Sequence, residues 1–578
     1  SGRTGMTTKL DARIAGVFFG QHPSLRPAQE AAIGPLLAGL NIVLTSATGS
    51  GKTEAATAPL VSRLWREAVR DDRLFLLYIA PTKALINDIA RRLAPLLARA
   101  GIRLGVRHGD HDDLPSKPHV LVTTPESLDV MLIKGEPALK GVQASIIDEI
   151  HLLYNTQRGL QLALLLRRLK AHIGGPLQWA ALSATIGNPQ HIRDFFFGAS
   201  EAADFLSFPS SRAIDAYIDH LTAVKDILPF FTKLTGGGGK FLVFADSRRE
   251  CERLCGILER IPALKDSVFA HYSSMSKEER LDTEARFQRM RTAVCVATST
   301  LELGIDIGDI DAAVLWGVPS SVESFLQRIG RSNRRFQITK VICLVTDMSP
   351  APLLDALLFA VQVEDARAGR LMAHGPHDLF GAMVQQILSV AVSRENEYVS
   401  FTELNALLGI AEDDLTAILD ALVDAELLRR HPLKRWFCAD EAAFILKEEK
   451  RIYGNFPLGS SHIDLMHGSK RLGDIPFKNR FTLKAGDTVR FAGRVWMVIS
   501  FKLGCIQLEP CPGTNASKEI KYGGKGIPRA PEAIDGIWRM LHNPVPNLSI
   551  FSKPLRTQVA ALAETVRNGC TTSDLTFI

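Results

Sequence analysis

The sequence predicts an α/β protein with two tandem parallel-sheet lobes, followed by a winged-helix domain and a small antiparallel β domain. Three observations support this. Apolar strands alternate with longer amphipathic stretches from residue 41 onward, the alternation restarts after four glycines at 236–239, and from about residue 371 short helices and then short alternating runs replace it. We expect domains at residues 1–208, 209–365, 366–450 and 451–535, with an unassigned tail at 536–578.

The composition is that of an ordinary globular protein, with 46% hydrophobic and 22% charged residues among 578. No apolar stretch is long enough to span a bilayer and the first residues are polar, so we expect a soluble, cytoplasmic protein with no membrane partner and no signal peptide. The eight cysteines lack zinc-like spacing and suit a reducing compartment. A net charge of +6 permits a polyanionic partner without requiring one.

Five apolar runs in the first lobe are candidate strands, and a polar cluster follows each of them. The runs are Asn41–Thr45, Leu74–Ala80, His119–Thr124, Ala144–Asp148 and Trp179–Ser183. Ligands of parallel sheets bind outside the carboxyl ends of the strands, so the five polar clusters should line a single cleft.

A glycine-rich turn at residues 47–54, Ala-Thr-Gly-Ser-Gly-Lys-Thr-Glu, follows the first strand and precedes a helix-compatible stretch at 55–70. Such a turn directs backbone N–H groups at phosphates, and the helix N-terminus adds a favourable dipole. We expect Lys52 to reach the β- and γ-phosphates of a nucleoside triphosphate and Thr53 to ligate Mg²⁺ through its hydroxyl. The other predicted nucleotide-binding residues of the turn are Thr48, Gly49, Ser50, Gly51 and Glu54. The alternative is a glycine turn that merely contains Lys-Thr.

The fourth strand ends in Asp-Glu-Ile-His at residues 148–151. Phosphoryl transfer to water needs a metal ligand and a group that orients the water. Asp148 suits the first role and Glu149 the second, while His151 would sense the γ-phosphate or the Ser-Ala-Thr sequence at 183–185. Acidic strand ends are common, so the motif gains its meaning from the phosphate loop upstream.

The second lobe contains five further candidate strands but no Gly-Lys-Thr turn, which makes it a partner lobe rather than a second nucleotide binder. These strands are Lys240–Ala245, Ser267–Ala270, Ala293–Ala297, Ala312–Trp316 and Val341–Val345. A helical run beginning at Gln327 carries Arg331 and Arg334 on one face, where they could stabilise a transferring phosphoryl group as arginine fingers. The same arginines could simply bind phosphates or face solvent.

Three predicted helices, Phe380–Val392, Phe401–Leu408 and Asp413–Leu428, precede a basic and aromatic segment at 430–437. This order is typical of a winged helix, although a helical bundle packed on the second lobe would also fit. Short alternating runs at 454–509 then predict the β domain. Trp436 and Trp496 are candidate stacking surfaces for bases, and both could instead be core residues.

The ordered motifs resemble those of the superfamily-two helicases, and in particular the large helicase-related (Lhr) group. They are Gln29, the turn at 47–54, Pro-Thr-Lys-Ala-Leu at 81–85, Thr-Pro-Glu-Ser-Leu at 124–128, residues 148–151, Ser-Ala-Thr at 183–185, the run at 241–248, Ala297–Asp306 and Gln327–Arg334. Arg158-Gly-Leu-Gln after the Asp-Glu-Ile-His motif points to the Lhr group. Arg-Ser-Asn-Arg at 331–334 departs from the Arg-Ala-Gly-His usual in that group, and the chain is shorter than typical members.

The resemblance implies two RecA-like lobes, ATP and Mg²⁺ as cofactors, and the following residue roles. Gln29 would read adenine, Asp306 would contact ribose or phosphate, and Ser183 and Thr185 would couple hydrolysis to lobe movement. The residues implied to contact the nucleic-acid backbone are Pro81, Thr82, Thr124, Pro125, Ser247, Arg248 and Thr298.

The activity implied is ATP-driven 3′→5′ translocation along single-stranded DNA, with unwinding of DNA or RNA–DNA duplexes. Two rivals stay open at this stage. One is an RNA helicase or nucleoprotein remodeller, and the other is a nucleotide-gated strand clamp with little turnover. The water-orienting Glu149 argues against the clamp, because a non-catalytic protein has no need of it.

Overall fold

The computed structural model divides by internal contacts into two units, each made of two separate chain segments. The first contains Ser1–Ser210 and Pro376–Leu458, and the second contains Ser211–Gly375 and Gly459–Ile578. The structure describes residues 9–21, 24–46, 50–109, 111–113, 117–183, 189–208, 213–272, 274–298, 310–329, 338–368, 379–394, 397–449, 452, 462–476, 479, 482–502, 505–512, 516–520, 531–542 and 548–568. Within these ranges every helix is too short or too polar to cross a membrane.

The first lobe is an eight-stranded sheet with helices around it. Its strands are β1 (Ile42–Ser46), β2 (Leu76–Ile79), β3 (Leu104–His108), β4 (His111–Asp113), β5 (Val120–Thr123), β6 (Ala144–Ile147), β7 (Gln178–Ser183) and β8 (Asp204–Phe208). Its helices are α1 (Ala12–Phe19), α2 (Pro27–Leu37), α3 (Lys52–Arg70), α4 (Lys83–Ala100), α5 (Pro125–Ile133), α6 (Gln157–Ile173) and α7 (Pro189–Phe196). The strand order is β4-β3-β5-β2-β6-β7-β1-β8, and only the β3–β4 pair is antiparallel.

All five predicted strands of this lobe are present, as β1, β2, β5, β6 and β7. They occupy the interior of the sheet and are buried on both faces, which explains their continuous apolar sequences. The prediction missed β3, β4 and β8. The two edge strands are β4 and β8, and β3 is next to the edge and partly exposed. Partly exposed strands carry mixed sequences, such as Asp-Phe-Leu-Ser-Phe in β8.

The second lobe is a six-stranded parallel sheet in the order β11-β12-β10-β13-β14-β9. Its strands are β9 (Ala213–His220), β10 (Gly239–Ala245), β11 (Val268–His271), β12 (Thr292–Ala297), β13 (Ala312–Trp316) and β14 (Ile338–Val345). Its helices are α8 (Val224–Thr235), α9 (Arg248–Leu258), α10 (Lys277–Arg289), α11 (Val322–Ile329) and α12 (Pro352–Arg367). The prediction missed only β9, an edge strand whose burial alternates along the chain. The two parallel sheets confirm the predicted α/β class.

The segment after the second lobe belongs to the same unit as the first lobe. It contains α13 (Phe380–Ser393), β15 (Val399–Ser400), α14 (Phe401–Leu408), α15 (Glu412–Asp424), β16 (Leu428–Arg430), β17 (Trp436–Ala439) and α16 (Glu441–Glu448). The three strands pair antiparallel in the order β15-β17-β16. The predicted extension of the third helix to Leu428 is wrong, because Glu426 adopts a positive φ of 57° and Leu428 begins a strand. These are the elements of a winged helix, an assignment we keep as a proposal.

One buried carboxylate joins this segment to the first lobe. Asp129 of α5 is fully buried, and its carboxylate accepts hydrogen bonds from five side chains. They are Gln161 Nε2 (3.2 Å), Arg168 Nη1 (3.1 Å), Gln385 Nε2 (2.8 Å), Gln386 Nε2 (2.7 Å) and Ser389 Oγ (2.6 Å). Three of these five donors come from α13. A buried charge is tolerable only when it is paired and hydrogen-bonded, so this network defines how α13 sits on α5 and α6.

The remaining elements belong to the unit of the second lobe. They are β18 (His462–His467), β19 (Lys470–Pro476), β20 (Thr488–Phe491), β21 (Arg494–Lys502), β22 (Cys505–Pro510), α17 (Pro531–His542) and α18 (Lys553–Arg567). The sheet order is β19-β18-β22-β21-β20, and every pair is antiparallel except β18–β22. The tail left unassigned by the sequence contains α18, which shares a hydrophobic core with α12 and α17.

A second buried carboxylate joins the β domain to α9. Glu252 accepts hydrogen bonds from Tyr272 Oη (2.5 Å) and from the backbone N–H of Gly493 (3.1 Å). Burial raises the pKa of Glu252 to about 7. Close by, Arg490 donates to Glu259 over 3.0 Å. Each accessory segment is therefore attached to its lobe by buried polar groups as well as by apolar packing.

Replacing Asp129 with Ala should loosen α13 from the first lobe, because the change leaves the Arg168 guanidinium buried without its carboxylate. We expect a loss of about 3–5 kcal/mol in unfolding free energy. Native-state hydrogen exchange is the measurement, and protection of α13 amides should fall while that of β18–β22 is unchanged. Asp413→Ala, an exposed change in α15, is the control. Unchanged exchange in α13 would contradict the network's role.

Candidate nucleotide site

The candidate site lies at the carboxyl edge of the first sheet, where β1, β7 and β6 are neighbours. Parallel pairing brings the ends of these strands together, so Ser46, Ser183 and Asp148 lie along one edge. Helix α3 begins nearby at Lys52. The predicted phosphate-binding residues Thr48 and Gly49 lie outside the described residues.

Lys52 is 7% exposed, and its ammonium donates to the carbonyl oxygen of Ser46 at the end of β1 over 2.8 Å. Among the described residues this is the one hydrogen bond of the ammonium, which leaves two of its three donors for another ligand. The hydroxyls of Thr45 and Ser50 are also buried, and neither has a hydrogen-bond partner among the described residues. The start of α3 therefore gathers donors and a positive charge suited to an anionic ligand.

Gly51 precedes α3 in a left-handed conformation with φ of 82°. A Cβ at this position would lie 2.5 Å from Nε2 of Gln29. The Gln29 amide is held in place through its oxygen, because Oε1 accepts a hydrogen bond from the backbone N–H of Arg26 over 3.0 Å. Gln29, predicted to read adenine, is thus packed directly against the phosphate turn.

Asp148 is buried, and each of its oxygens has a donor. Tyr78 donates to Oδ2 over 2.7 Å, and the backbone N–H of Glu149 donates to Oδ1 over 2.9 Å. The Tyr78 oxygen also lies 3.5 Å from Thr53 Oγ1. Burial, reinforced by Glu149 and opposed by Lys52, raises the pKa of Asp148 to about 6. The pKa of Tyr78 is raised well above its usual value by burial and by Asp148, so its hydroxyl stays a donor.

The two residues predicted to ligate Mg²⁺ therefore meet around one tyrosine. Thr53 and Asp148 offer hard oxygen ligands of the kind that Mg²⁺ prefers. The buried hydroxyls of Thr45 in β1 and Ser50 before α3, which have no hydrogen-bond partner among the described residues, add further oxygens at the two ends of the phosphate turn. This donor set fits the ion. Sequence reasoning missed Tyr78, whose signal was a polar side chain inside the otherwise apolar strand β2.

His151 is buried behind the site, with Nδ1 3.1 Å from Ser183 Oγ and 3.5 Å from Glu149 Oε2. Burial and the charge of Lys52 lower the pKa of His151 to about 3, so the imidazole is neutral near pH 7. Glu149 has a positive φ of 47°, a conformation that costs energy outside glycine and is common at functional sites. The structure thus places His151 with Ser183, while Thr185 lies outside the described residues.

Glu54, predicted to bind the nucleotide, is engaged by another partner. Its Oε1 accepts from Arg92 Nη2 of α4 over 2.6 Å. This ion pair connects the first turn of α3 to α4. Direct nucleotide contact by Glu54 stays a prediction.

The predicted strand-binding residues of the first lobe are helix caps. Thr82 caps α4 by accepting from Leu85 N (3.3 Å), and Thr124 caps α5 by accepting from Ser127 N (3.2 Å), with Pro81 and Pro125 beside them. Helix N-termini attract phosphates. Arg158 connects the two segments, because it donates to the Pro81 carbonyl and to Glu126 Oε1, both over 2.7 Å. The sequence motif that contains Arg158 did not indicate this role.

In the second lobe, Ser247 caps α9 by accepting from Glu250 N over 3.1 Å, and Arg248 is the first residue of that helix. The backbone N–H of Thr298, just after β12, donates to the His271 carbonyl over 3.2 Å. Gln327 lies on α11. The remaining predicted residues of this lobe, Asp306, Arg331 and Arg334, lie outside the described residues.

The two candidate stacking tryptophans differ in exposure. Trp436 is 38% exposed on β17, whereas Trp496 is 3% exposed and donates to the Phe491 carbonyl over 2.9 Å. Trp496 is therefore a core residue of the β domain, and the stacking role considered for it is wrong. Trp436 keeps an accessible face, with Lys434 lying 4.1 Å from its ring centroid.

Two family models match the chain. The DEAD/DEAH box helicase model matches residues 26–192, and the helicase conserved C-terminal domain model matches residues 219–335. The first range contains the phosphate turn and the Asp-Glu-Ile-His motif, and the second contains most strands of the second lobe. Both halves of the motif series found in the sequence are therefore matched.

Similar proteins include the ATP-dependent helicase Lhr-Core protein 2 of Thermococcus barophilus, 31% identical over 65% of this chain and 48% of that protein. The ATP-dependent helicase Lhr-Core of Methanothermobacter thermautotrophicus is 31% identical over 81% of this chain and 60% of that protein. The structure of Mycobacterium smegmatis helicase Lhr bound to ssDNA and AMP-PNP matches 75% of this chain and 61% of that one, with 28% identity and a TM-score of 0.61. The chain thus spans 48 to 60% of the length of these two curated relatives.

Gly51→Ala should cost more stability than Gly135→Ala, although both residues have positive φ and lie in the same unit. A methyl group at position 135 would have no described atom within 4 Å, so its cost should be about 1–2 kcal/mol from backbone conformation alone. At Gly51 the Gln29 amide must also move, which should add about 1–3 kcal/mol. Urea unfolding without nucleotide is the measurement, and equal costs would contradict the contact.

Proposed function

Because the chain belongs to the superfamily-two helicases and is similar to the Lhr group, we propose that it is an ATP-dependent helicase that moves 3′→5′ on single-stranded DNA. Its proposed substrates are DNA and RNA–DNA duplexes, with RNA as a further partner. The observation that carries the proposal is the burial of Lys52, Asp148 and His151 together at the carboxyl edge of the first sheet. Such a cluster of charged and titratable groups is suited to nucleotide hydrolysis.

In this proposal the first lobe binds and activates ATP. Lys52 binds the β- and γ-phosphates with the backbone of Thr48, Gly49, Ser50 and Gly51, while Gln29 reads adenine and Glu54 supports the turn. Thr53 and Asp148 would hold Mg²⁺, which when bound neutralises charge on the transferring phosphoryl group. Glu149 orients the attacking water. The neutral His151 senses the γ-phosphate, and Ser183 and Thr185 couple hydrolysis to lobe movement. The 3.1 Å contact between His151 and Ser183 supports this coupling.

The proposal also assigns roles in hydrolysis to residues of the second lobe. Gln327, Arg331 and Arg334 stabilise the charge that develops on the γ-phosphoryl group, and Asp306 contacts the ribose or phosphate. Arginine fingers contribute about 10³–10⁵ in rate where they have been measured. Closure of two lobes around a ligand is a common conformational switch, and it would alternate the grip of the two lobes on the strand.

We expect the nucleic-acid strand to contact three capped helix starts and one strand end. The helix starts are Pro81-Thr82, Thr124-Pro125 and Ser247-Arg248, and the strand end is at Thr298. Backbone N–H groups and hydroxyls at such positions bind phosphates without reading bases, which suits a motor that must pass over any sequence. The exposed Trp436 supplies a further contact on the winged-helix segment.

Strand separation of tailed duplexes tests the function directly. With ATP and Mg²⁺, a DNA duplex with a 3′ single-stranded tail should be unwound and one with a 5′ tail should not. RNA–DNA duplexes loaded on a DNA tail should also be separated. Preference for an RNA tail would favour an RNA helicase, and ATP-independent strand binding without unwinding would favour a strand clamp.

Glu149→Gln should abolish ATP hydrolysis while ATP still binds, because the amide cannot orient or deprotonate water but leaves the phosphate contacts in place. We expect at least a hundredfold loss of DNA-stimulated turnover, because an acid–base group typically contributes about 10²–10⁴ to the rate. Steady-state phosphate release and nucleotide binding are measured together. Glu278→Gln, an exposed change in α10, is the control. Equal turnover in wild type and Glu149→Gln would exclude the proposed role.

Arg158→Ala should weaken single-stranded DNA binding by roughly tenfold, or about 1.4 kcal/mol, because it removes charge-assisted bonds that position two strand-binding segments. ATP turnover without DNA should stay near the wild-type rate. Fluorescence anisotropy of a labelled oligonucleotide is the measurement, with the exposed Arg91→Ala as control. Unchanged affinity would show that Arg158 does not position these two segments for strand binding.

A further inference from the structure

We propose that Tyr78 is a positioning residue for magnesium in this site: its hydroxyl orients both Thr53 and Asp148 toward one cation. The inference rests on the proposed function, and it adds a residue outside all the sequence motifs. Tyr78 lies in β2, beside β6, and its hydroxyl reaches across to the residue that follows β6 and to the first turn of α3.

A tyrosine hydroxyl has one hydrogen, so it donates to one partner at a time. The 2.7 Å contact with Asp148 Oδ2 takes that hydrogen, whereas the contact with Thr53 Oγ1 is 3.5 Å. The longer contact also has Tyr78 as the donor and Thr53 Oγ1 as the acceptor, so it forms only when the hydrogen turns away from Asp148. Whichever oxygen accepts this hydrogen uses one lone pair for it and retains another. Both partners keep an oxygen lone pair available for a cation.

Packing alone does not account for a tyrosine here. Tyr78 is fully buried in a strand whose other residues are leucine and isoleucine, and phenylalanine would fill the same space without a polar group to satisfy. The hydroxyl contacts the two side chains that were assigned to the metal on independent grounds. Residues that orient metal ligands typically change metal affinity or activity about 10–100-fold when replaced.

Tyr78→Phe tests the proposal because it removes one oxygen and retains the ring. We expect the Mg²⁺ concentration for half-maximal ATP hydrolysis to rise about tenfold. Binding of a fluorescent ADP gives a readout independent of turnover: affinity in EDTA should match wild type, while the gain in affinity on adding Mg²⁺ should be largely lost.

Tyr272→Phe is a matched control, since Tyr272 is also fully buried and also donates to a buried carboxylate, that of Glu252, in the other unit. It should lower the melting temperature without shifting the Mg²⁺ dependence. If Tyr78→Phe behaves in the same way, its hydroxyl is merely structural and the proposal fails. If wild type shows no Mg²⁺-dependent nucleotide binding at all, the proposed function fails with it, so the two failures are distinguishable.

A second variant keeps the inference testable should Tyr78→Phe fold poorly. Thr53→Ser retains the hydroxyl but removes the methyl group that restricts its rotation. With Tyr78 present, the hydroxyl should still be held, and the Mg²⁺ dependence should change less than twofold. A tenfold shift in Thr53→Ser would show that the methyl group, and not Tyr78, orients this oxygen, which would overturn that half of the proposal.

Discussion

Ionisable groups are buried together at the carboxyl edge of the first sheet, and the surrounding structure has to compensate each of them. The Lys52 ammonium is held by the Ser46 carbonyl, and the Asp148 carboxylate by Tyr78 and a backbone N–H. His151 avoids the cost by staying neutral, as its lowered pKa shows. Parallel strand pairing makes this possible, because it aligns the ends of three strands at one edge of the sheet. The chemistry assigned to the site depends on that alignment.

The parts predicted well from sequence were those with a local signal. Interior strands such as β2 and β6 are continuous apolar runs, and the phosphate turn is contiguous in sequence. Edge strands such as β8 were missed because half-exposed strands lose that signal. Tyr78 was missed for a different reason. Its polar side chain is a visible exception in an apolar strand, but its partner Asp148 is 70 residues away and the sequence does not link the two.

The same limit applied to the way the chain is divided. The sequence suggests four successive domains and an unassigned tail, whereas internal contacts group residues 376–458 with the first lobe and residues 459–578 with the second. Asp129 and Gln386 illustrate the reason, because a single hydrogen bond joins residues 257 positions apart. Buried polar networks of this kind determine which surfaces pack together, and hydropathy patterns do not reveal them.

Asp129 also has a consequence for how the protein is made. During synthesis the first lobe emerges before Gln385, Gln386 and Ser389 have been translated. Until then the Asp129 carboxylate lacks three of its five hydrogen-bond donors. The apolar surface of α5 and α6 that α13 later covers is exposed over the same interval. Transiently uncovered apolar surface promotes aggregation, so the nascent first lobe should be a target for ribosome-associated chaperones until α13 arrives.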